Sequence, residues 1–150
     1  MKLAIGSDHA GFNLKNRLRD VLREQGHQVT DHGTNSPDST DYPDYAAKVG
    51  RAVVGGDAEL GVLVCGTGVG VSIAANKIHG VRAAAVSEPV SAEFARSHNN
   101  ANIVCMGERI VGGAVAEEIV RTFLETPFSQ GERHVRRIDK ITKLEEEPVR

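Results

Sequence analysis

The chain has 150 residues and a formal net charge of −2, which suits one domain and argues against nucleic acid or anionic membrane as a general partner. Hydrophobic residues make up 40%, yet aromatics are only 4% and Trp is absent, so small and β-branched side chains must fill the core. No apolar run approaches the roughly 20 residues that span a bilayer, and the N-terminus meets polar Ser7-Asp8-His9 too soon for a signal peptide. Lys2–Gly6 reads as the first strand. Leu14, Leu18, Val21 and Leu22 then recur at helical spacing, and Gly26 stops that helix. His27–Asp31 is a polar strand, which places it at a sheet edge. Asp31 to Tyr42 is a loop rich in Ser, Asp, Thr and Pro. Pro43 opens the next helix, whose core face carries Tyr45, Ala46, Val49 and Val53 until Gly55-Gly56 ends it.

Leu60–Cys65 is apolar without alternation, as a central parallel strand covered on both faces must be. The glycine-rich turn Gly66-Thr67-Gly68-Val69-Gly70 follows, then a helix through Ile73, Ala74, Ala75 and Lys77. Val81–Val86 and Asn102–Met106 read as two more buried strands, with helices around Val90–Arg96 and Ala114–Leu124. A last helix, about residues 132–145, carries Val135, Ile138 and Ile141 on one stripe. This alternation predicts an α/β fold: a doubly wound, Rossmann-like three-layer α/β/α sandwich around a five-stranded parallel sheet. Ligands in such sheets bind beyond the carboxyl ends of the strands, so the residues just after each strand are the ones to inspect. They are Ser7-Asp8-His9, Asp31-His32, Cys65-Gly66-Thr67, Ser87-Glu88 and Gly107-Glu108-Arg109.

Cys65 ends a buried strand and enters a helix start, where backbone N–H groups favour the thiolate. A thiolate there can remove a proton beside a carbonyl, and the same N–H groups can hold the enediolate that develops. Cys105 sits inside a strand and reads as a core residue. The two thiols form no CxxC pair, which fits a reducing cytoplasm. Two readings of other classes stay open at this point. Gly66–Gly70 is GxGxG, and Glu88 lies about 20 residues on, where a nucleotide-binding module keeps its ribose acid. Cys65 could also be the nucleophile of a hydrolase or transferase. His/Asp spacing supports no metal site. In the basic run Arg133-His134-Val135-Arg136-Arg137, Arg133 and Arg137 share a helix face at i, i+4. Two forked guanidinium groups suit a phosphate dianion, although a solvated face is the commoner reason for such a run.

The chain resembles type B ribose-5-phosphate isomerases and their allose-6-phosphate and galactose-6-phosphate relatives. The matching stretches are Gly6–Phe12, Thr40–Pro43, Cys65–Lys77, His98–Asn102 and Arg133–Arg137. The resemblance implies an aldose–ketose isomerase acting on a small sugar phosphate, with ribose 5-phosphate first and a six-carbon sugar phosphate as the alternative. It implies Cys65 as the base, since Val71 stands where some members carry a Glu. It implies Thr67 as the hydroxyl that moves protons between oxygens, and His98, near Asp8, as the ring-opening acid/base. Asp8, Tyr42 and Asn99 become sugar contacts, the backbone of Gly66, Gly68 and Gly70 the anion hole, and His9, Arg109, Arg133 and Arg137 the phosphate grip. It implies no metal or organic cofactor. It also implies a homodimer or dimer of dimers, in which the C-terminal helix of one chain reaches the site of the next.

Overall fold

The computed structural model describes residues 1–148. Five strands, β1 (Lys2–Ser7), β2 (Gln28–Asp31), β3 (Leu60–Cys65), β4 (Ala83–Ala85) and β5 (Ile103–Gly107), form one sheet in the order β2-β1-β3-β5-β4. Every pairing is parallel. The helices are α1 (Phe12–Glu24), α2 (Tyr42–Val54), α3 (Val69–Ala75), α4 (Pro89–Ser97), α5 (Gly113–Glu125) and α6 (Glu132–Glu146).

The strand order dictates which face each helix covers. The chain steps one way across the sheet from β1 to β2 and from β4 to β5, and the other way from β2 to β3 and β3 to β4. Right-handed crossovers then put α1 and α4 on one face and α2 and α3 on the other. The packing follows this rule. Leu3, Ile5, Val62, Val64, Val104 and Met106 meet α1, α4 and α5 on one side. Ala4, Leu63, Cys65, Ile103 and Cys105 meet α2 and α3 on the other. Both faces of β3 are buried along its whole length, so the doubly wound, three-layer fold is as the sequence predicts. β2 takes one edge, also as predicted.

Three local expectations are corrected. β4 spans three residues rather than Val81–Val86, and it is half-exposed rather than buried. It is the opposite edge strand, with only β5 beside it. On its open side the Asn76 side chain takes a neighbour's place: Asn76 Nδ2 donates to Ala83 O at 2.9 Å and Oδ1 accepts from Ala83 N at 2.8 Å. Asn76 is the C-cap of α3, with its own N–H still bonded to Ser72 O at 3.0 Å, so α3 ends at Ala75 and does not reach Lys77. Tyr45, expected in the core of α2, is only half-buried, and Ala46, Val49, Gly50 and Val53 carry that face instead.

One core residue gave no sign in the hydrophobic pattern. Lys15 of α1 is 1% exposed, and its Nζ donates to Asp31 Oδ2 at 2.9 Å and to Thr34 O at 2.8 Å. Burial opposes ionisation of Asp31, but the Lys15 and Arg19 contacts and the Gly33 N–H outweigh it and hold its carboxyl below the usual carboxylate range. The pair fastens the polar loop after β2 beside β1, where Thr34 N donates to Ser7 O at 3.0 Å. Gly33 is required there, because a Cβ would lie 2.7 Å from Ser7 N.

Candidate active site

β1 and β3 are neighbours from which the chain departs in opposite directions, and that switch point opens a crevice at their carboxyl ends. Asp8 follows β1. Its Oδ1 accepts from Ala10 N at 3.0 Å and Gly11 N at 3.2 Å, capping the short 3-10 turn His9–Gly11. Gly11 lets that turn lie against β3, since a Cβ would meet the Val64 carbonyl at 2.6 Å. The turn presents His9, whose Nδ1 accepts from Thr40 N at 3.1 Å. With Nδ1 an acceptor, Nε2 carries the proton and is the nitrogen left to donate.

Cys65 closes β3, and its sulfur accepts from Gly68 N at 3.1 Å. An N–H aimed at sulfur stabilises negative charge there. Thr67 Oγ1 accepts from Val69 N at 3.3 Å, so two amides of the glycine-rich loop already serve the proposed base and hydroxyl. Gly68 makes the loop possible: its φ is +82°, and a Cβ would sit 2.8 Å from Met106 backbone. Gly107 makes it possible from the other side, because a Cβ there would be 2.5 Å from Thr67. The two turns are then laced together by Glu108 N to Cys65 O at 2.9 Å and Arg109 N to Gly66 O at 3.1 Å. This lacing lays the Arg109 guanidinium over Gly66. Tyr42, the first residue of α2, lays its ring on Gly70, where a Cβ would come within 2.8 Å of it.

Asp8, His9, Tyr42, Cys65, Gly66, Thr67, Gly70 and Arg109 thus line one open cleft of about 240 Å³. The remaining residues singled out from the sequence lie elsewhere in the chain. His98 and Arg133 line a second cleft of about 610 Å³ between the end of α4 and the start of α6. Asn99 faces a third, beside Arg82 and Ala83. Arg137 is exposed on α6. The His98 ring stacks between Phe94, at 4.7 Å, and His134, at 4.3 Å, so its expected place near Asp8 is not taken up within one chain. Glu88 lies outside these clefts and caps α4 by accepting from Ser91 N at 3.0 Å, which accounts for it without a bound ribose.

The profile of the ribose/galactose isomerase family matches residues 3–141. The chain belongs to that family. It is 48% identical over 145 residues to ribose-5-phosphate isomerase B of Escherichia coli (strain K12), with 97% of each chain covered. The structure of Clostridium thermocellum ribose-5-phosphate isomerase B superposes with a TM-score of 0.96 at 47% identity, covering 97% of this chain and 98% of that one. Ribose-5-phosphate isomerase B from Mycoplasma genitalium, solved with bound ribulose 5-phosphate, gives a TM-score of 0.92 at 44% identity, covering 98% and 97%. Family membership bears out the aldose–ketose isomerase class and the fold expected from the sequence.

Two residues that build these clefts have a part that the sequence does not show. Gly107, read from the sequence as following a strand, is the last residue of β5, and only the packing against Thr67 shows why it must be glycine. His134 stood inside the basic run and passed as a spacer between arginines.

Proposed function

We propose that the chain interconverts ribose 5-phosphate and ribulose 5-phosphate through an enediolate, with Cys65 as the base. The observation that carries this reading is the Cys65–Gly68 contact within a loop of backbone donors, at a switch point large enough for a small ligand. The ribulose 5-phosphate bound by the Mycoplasma relative supports the five-carbon choice. Once the sugar ring is open, the Cys65 thiolate takes the proton from C2. The electron pair of that C–H bond forms the C1=C2 double bond, and charge moves onto O1. Free amides of Gly66–Gly70 hold that oxygen. Thr67 shuttles a proton between O1 and O2, and the Cys65 thiol returns its proton to C1, giving the ketose. Asp8 and Tyr42 contact the sugar, and His9 and Arg109 grip the phosphate from the same chain. Binding energy at the phosphate, remote from the reacting carbons, then orients the flexible chain.

His98, Asn99, Arg133 and Arg137 reach this cleft from a second copy of the chain. They stand outside it in their own chain. The surface around them supports an interface. On α6 only His134 is buried, while Val135, Ile141 and Leu144 stand exposed, as do Val69 and Ile73 of α3 and Val90 and Phe94 of α4. A dimer or dimer of dimers covers these groups. No helix among the described residues is long and apolar enough to cross a membrane, and two free thiols fit work in a reducing cytoplasm.

Turnover of ribose 5-phosphate in heavy water tests the chemistry. The expected product is ribulose 5-phosphate with deuterium at C1, because the Cys65 thiol, in an open cleft, exchanges its proton with solvent before returning it. Ketose free of solvent deuterium would point to a direct hydride shift, and absence of ketose would remove this sugar as substrate.

A further inference from the structure

The corner between α4 and α6 holds an arrangement that the isomerase reading does not itself use. His98 caps the C-terminus of α4, and its ring lies between two others. Phe94, one turn earlier, stacks on one face at 4.7 Å and 21°. His134 stacks on the other at 4.3 Å and 10°. His134 is 8% exposed, the one buried residue of an otherwise exposed helix. Its backbone N–H donates to Gly131 O at 2.9 Å, and the preceding segment is tied to α4 by Ser129 N to Ser97 O at 3.1 Å. Arg133 Nε donates to His134 Nε2 at 3.4 Å, so that nitrogen is unprotonated and the proton sits on Nδ1. Burial first, then the His98 ring and the Arg133 and Arg137 charges, hold the His134 imidazole below its ordinary value.

We infer that His134 is a positioning residue for two partners: its ring face fixes the plane of His98, and its Nε2 fixes the direction of Arg133. The inference rests on the reading of His98 as the group that opens the sugar ring. A surface imidazole on a helix end is free to swing about two torsions. Covering both of its faces removes that freedom and leaves only the ring edge, where both nitrogens are, open to a sugar. A neutral His134 can stack on His98 as it takes up a proton, whereas a cationic one would repel it. The same side chain couples ring opening to phosphate binding, because Arg133 hangs from its edge.

Three full-length variants, His134→Ala, His134→Phe and His134→Gln, are compared with His98→Ala on two substrates. One is ribose 5-phosphate. The other is the four-carbon aldose 4-phosphate, whose phosphate occupies the hydroxyl that would close a ring. Thermal midpoints accompany each, to separate positioning from folding. His134→Ala is expected to lower kcat on ribose 5-phosphate about tenfold, since a small misplacement of a proton-transfer group is costly. It is expected to change kcat on the four-carbon sugar by less than about twofold, because no ring needs opening. His134→Phe, which keeps a flat ring but no acceptor, restores kcat while KM rises on both substrates. His134→Gln, which keeps an acceptor but no ring, leaves kcat low. Equal kcat for the Ala and Phe variants on ribose 5-phosphate overturns the inference, and so does an equal loss on both sugars. If His98→Ala itself loses as much on the four-carbon sugar as on ribose 5-phosphate, the ring-opening role of His98 is wrong and the inference falls with it.

Discussion

The two halves of the candidate site are built on opposite plans. The Cys65 cleft is a product of the sheet: strand ends, tight glycines and backbone hydrogen bonds between neighbouring turns fix it. Gly68, Gly107 and Gly11 permit approaches that a single Cβ would block. The α4–α6 corner is held by side chains. Its organising contact is a stack of three rings, two from α4 and its cap and one from α6, a helix that buries only that residue. The difference teaches where one chain is sufficient. On the proposed reading, the atoms that hold a thiolate and an enediolate sit on backbone fixed by the sheet, whereas His98, Arg133 and Arg137 lie at a corner free to pack on a neighbour.

That contrast can be broken from the sheet side first. Cys65→Ala should lower turnover by roughly 10²- to 10⁴-fold while substrate still binds. Cys105→Ala should leave the chemical step nearly untouched, since burial pushes the Cys105 thiol up and keeps it protonated inside the core. A Cys65→Ala enzyme of normal activity, or equal losses for both cysteines, would show that the loop geometry around Cys65 does not carry the chemistry.

The foundation of the same half is the Lys15–Asp31 pair. Asp31→Asn leaves a lysine buried without its counter-charge, and the expected cost at pH 7 is about 3 kcal/mol. Because the folded Asp31 carboxyl is held below its ordinary value, its contribution is present above that value and is lost as pH falls through the folded one. The gap in stability between wild type and Asp31→Asn should therefore narrow below about pH 4, as denaturant unfolding at stepped pH would record. A gap independent of pH would mean that Asp31 acts through packing alone.

The corner half should respond differently. Arg133→Ala or Arg137→Ala should raise KM for the phosphorylated sugar roughly ten- to a hundredfold, as the loss of a charge-assisted contact does. Unfolding midpoints should hardly move, because both side chains are exposed. Activity on an unphosphorylated sugar, already poor, should change little. Equal losses with and without phosphate would remove these arginines from the phosphate grip.

The sequence revealed these two halves unequally. Apolar runs and glycine stops showed the sheet, the helices and the edge position of β2. Residues just after the strands marked Asp8, Cys65 and Arg109, because parallel sheets present ligands there. The length of β4 was hidden, since the Asn76 side chain replaces a strand neighbour and leaves no periodic trace. Lys15 was hidden because a buried ion pair looks like a polar surface residue in any hydropathy pattern. The partition of His98 away from Asp8 and Cys65 was hidden as well, whereas the resemblance already implied that Arg133 and Arg137 serve the neighbouring chain. A motif shows which residue types serve the reaction, whereas the chain that supplies each one is decided by tertiary packing.

The central claim is that one active site takes residues from two chains, and subunit mixing addresses it most directly. Cys65→Ala chains and Arg137→Ala chains are unfolded together, refolded and assayed at substrate well below the wild-type KM, where each variant alone is nearly inactive. A shared site gives each hybrid dimer one intact site of two, so random pairing should restore roughly a quarter of wild-type activity. If hybrids form and activity stays at the level of the separate variants, each site is made within a single chain, and α6 serves its own domain.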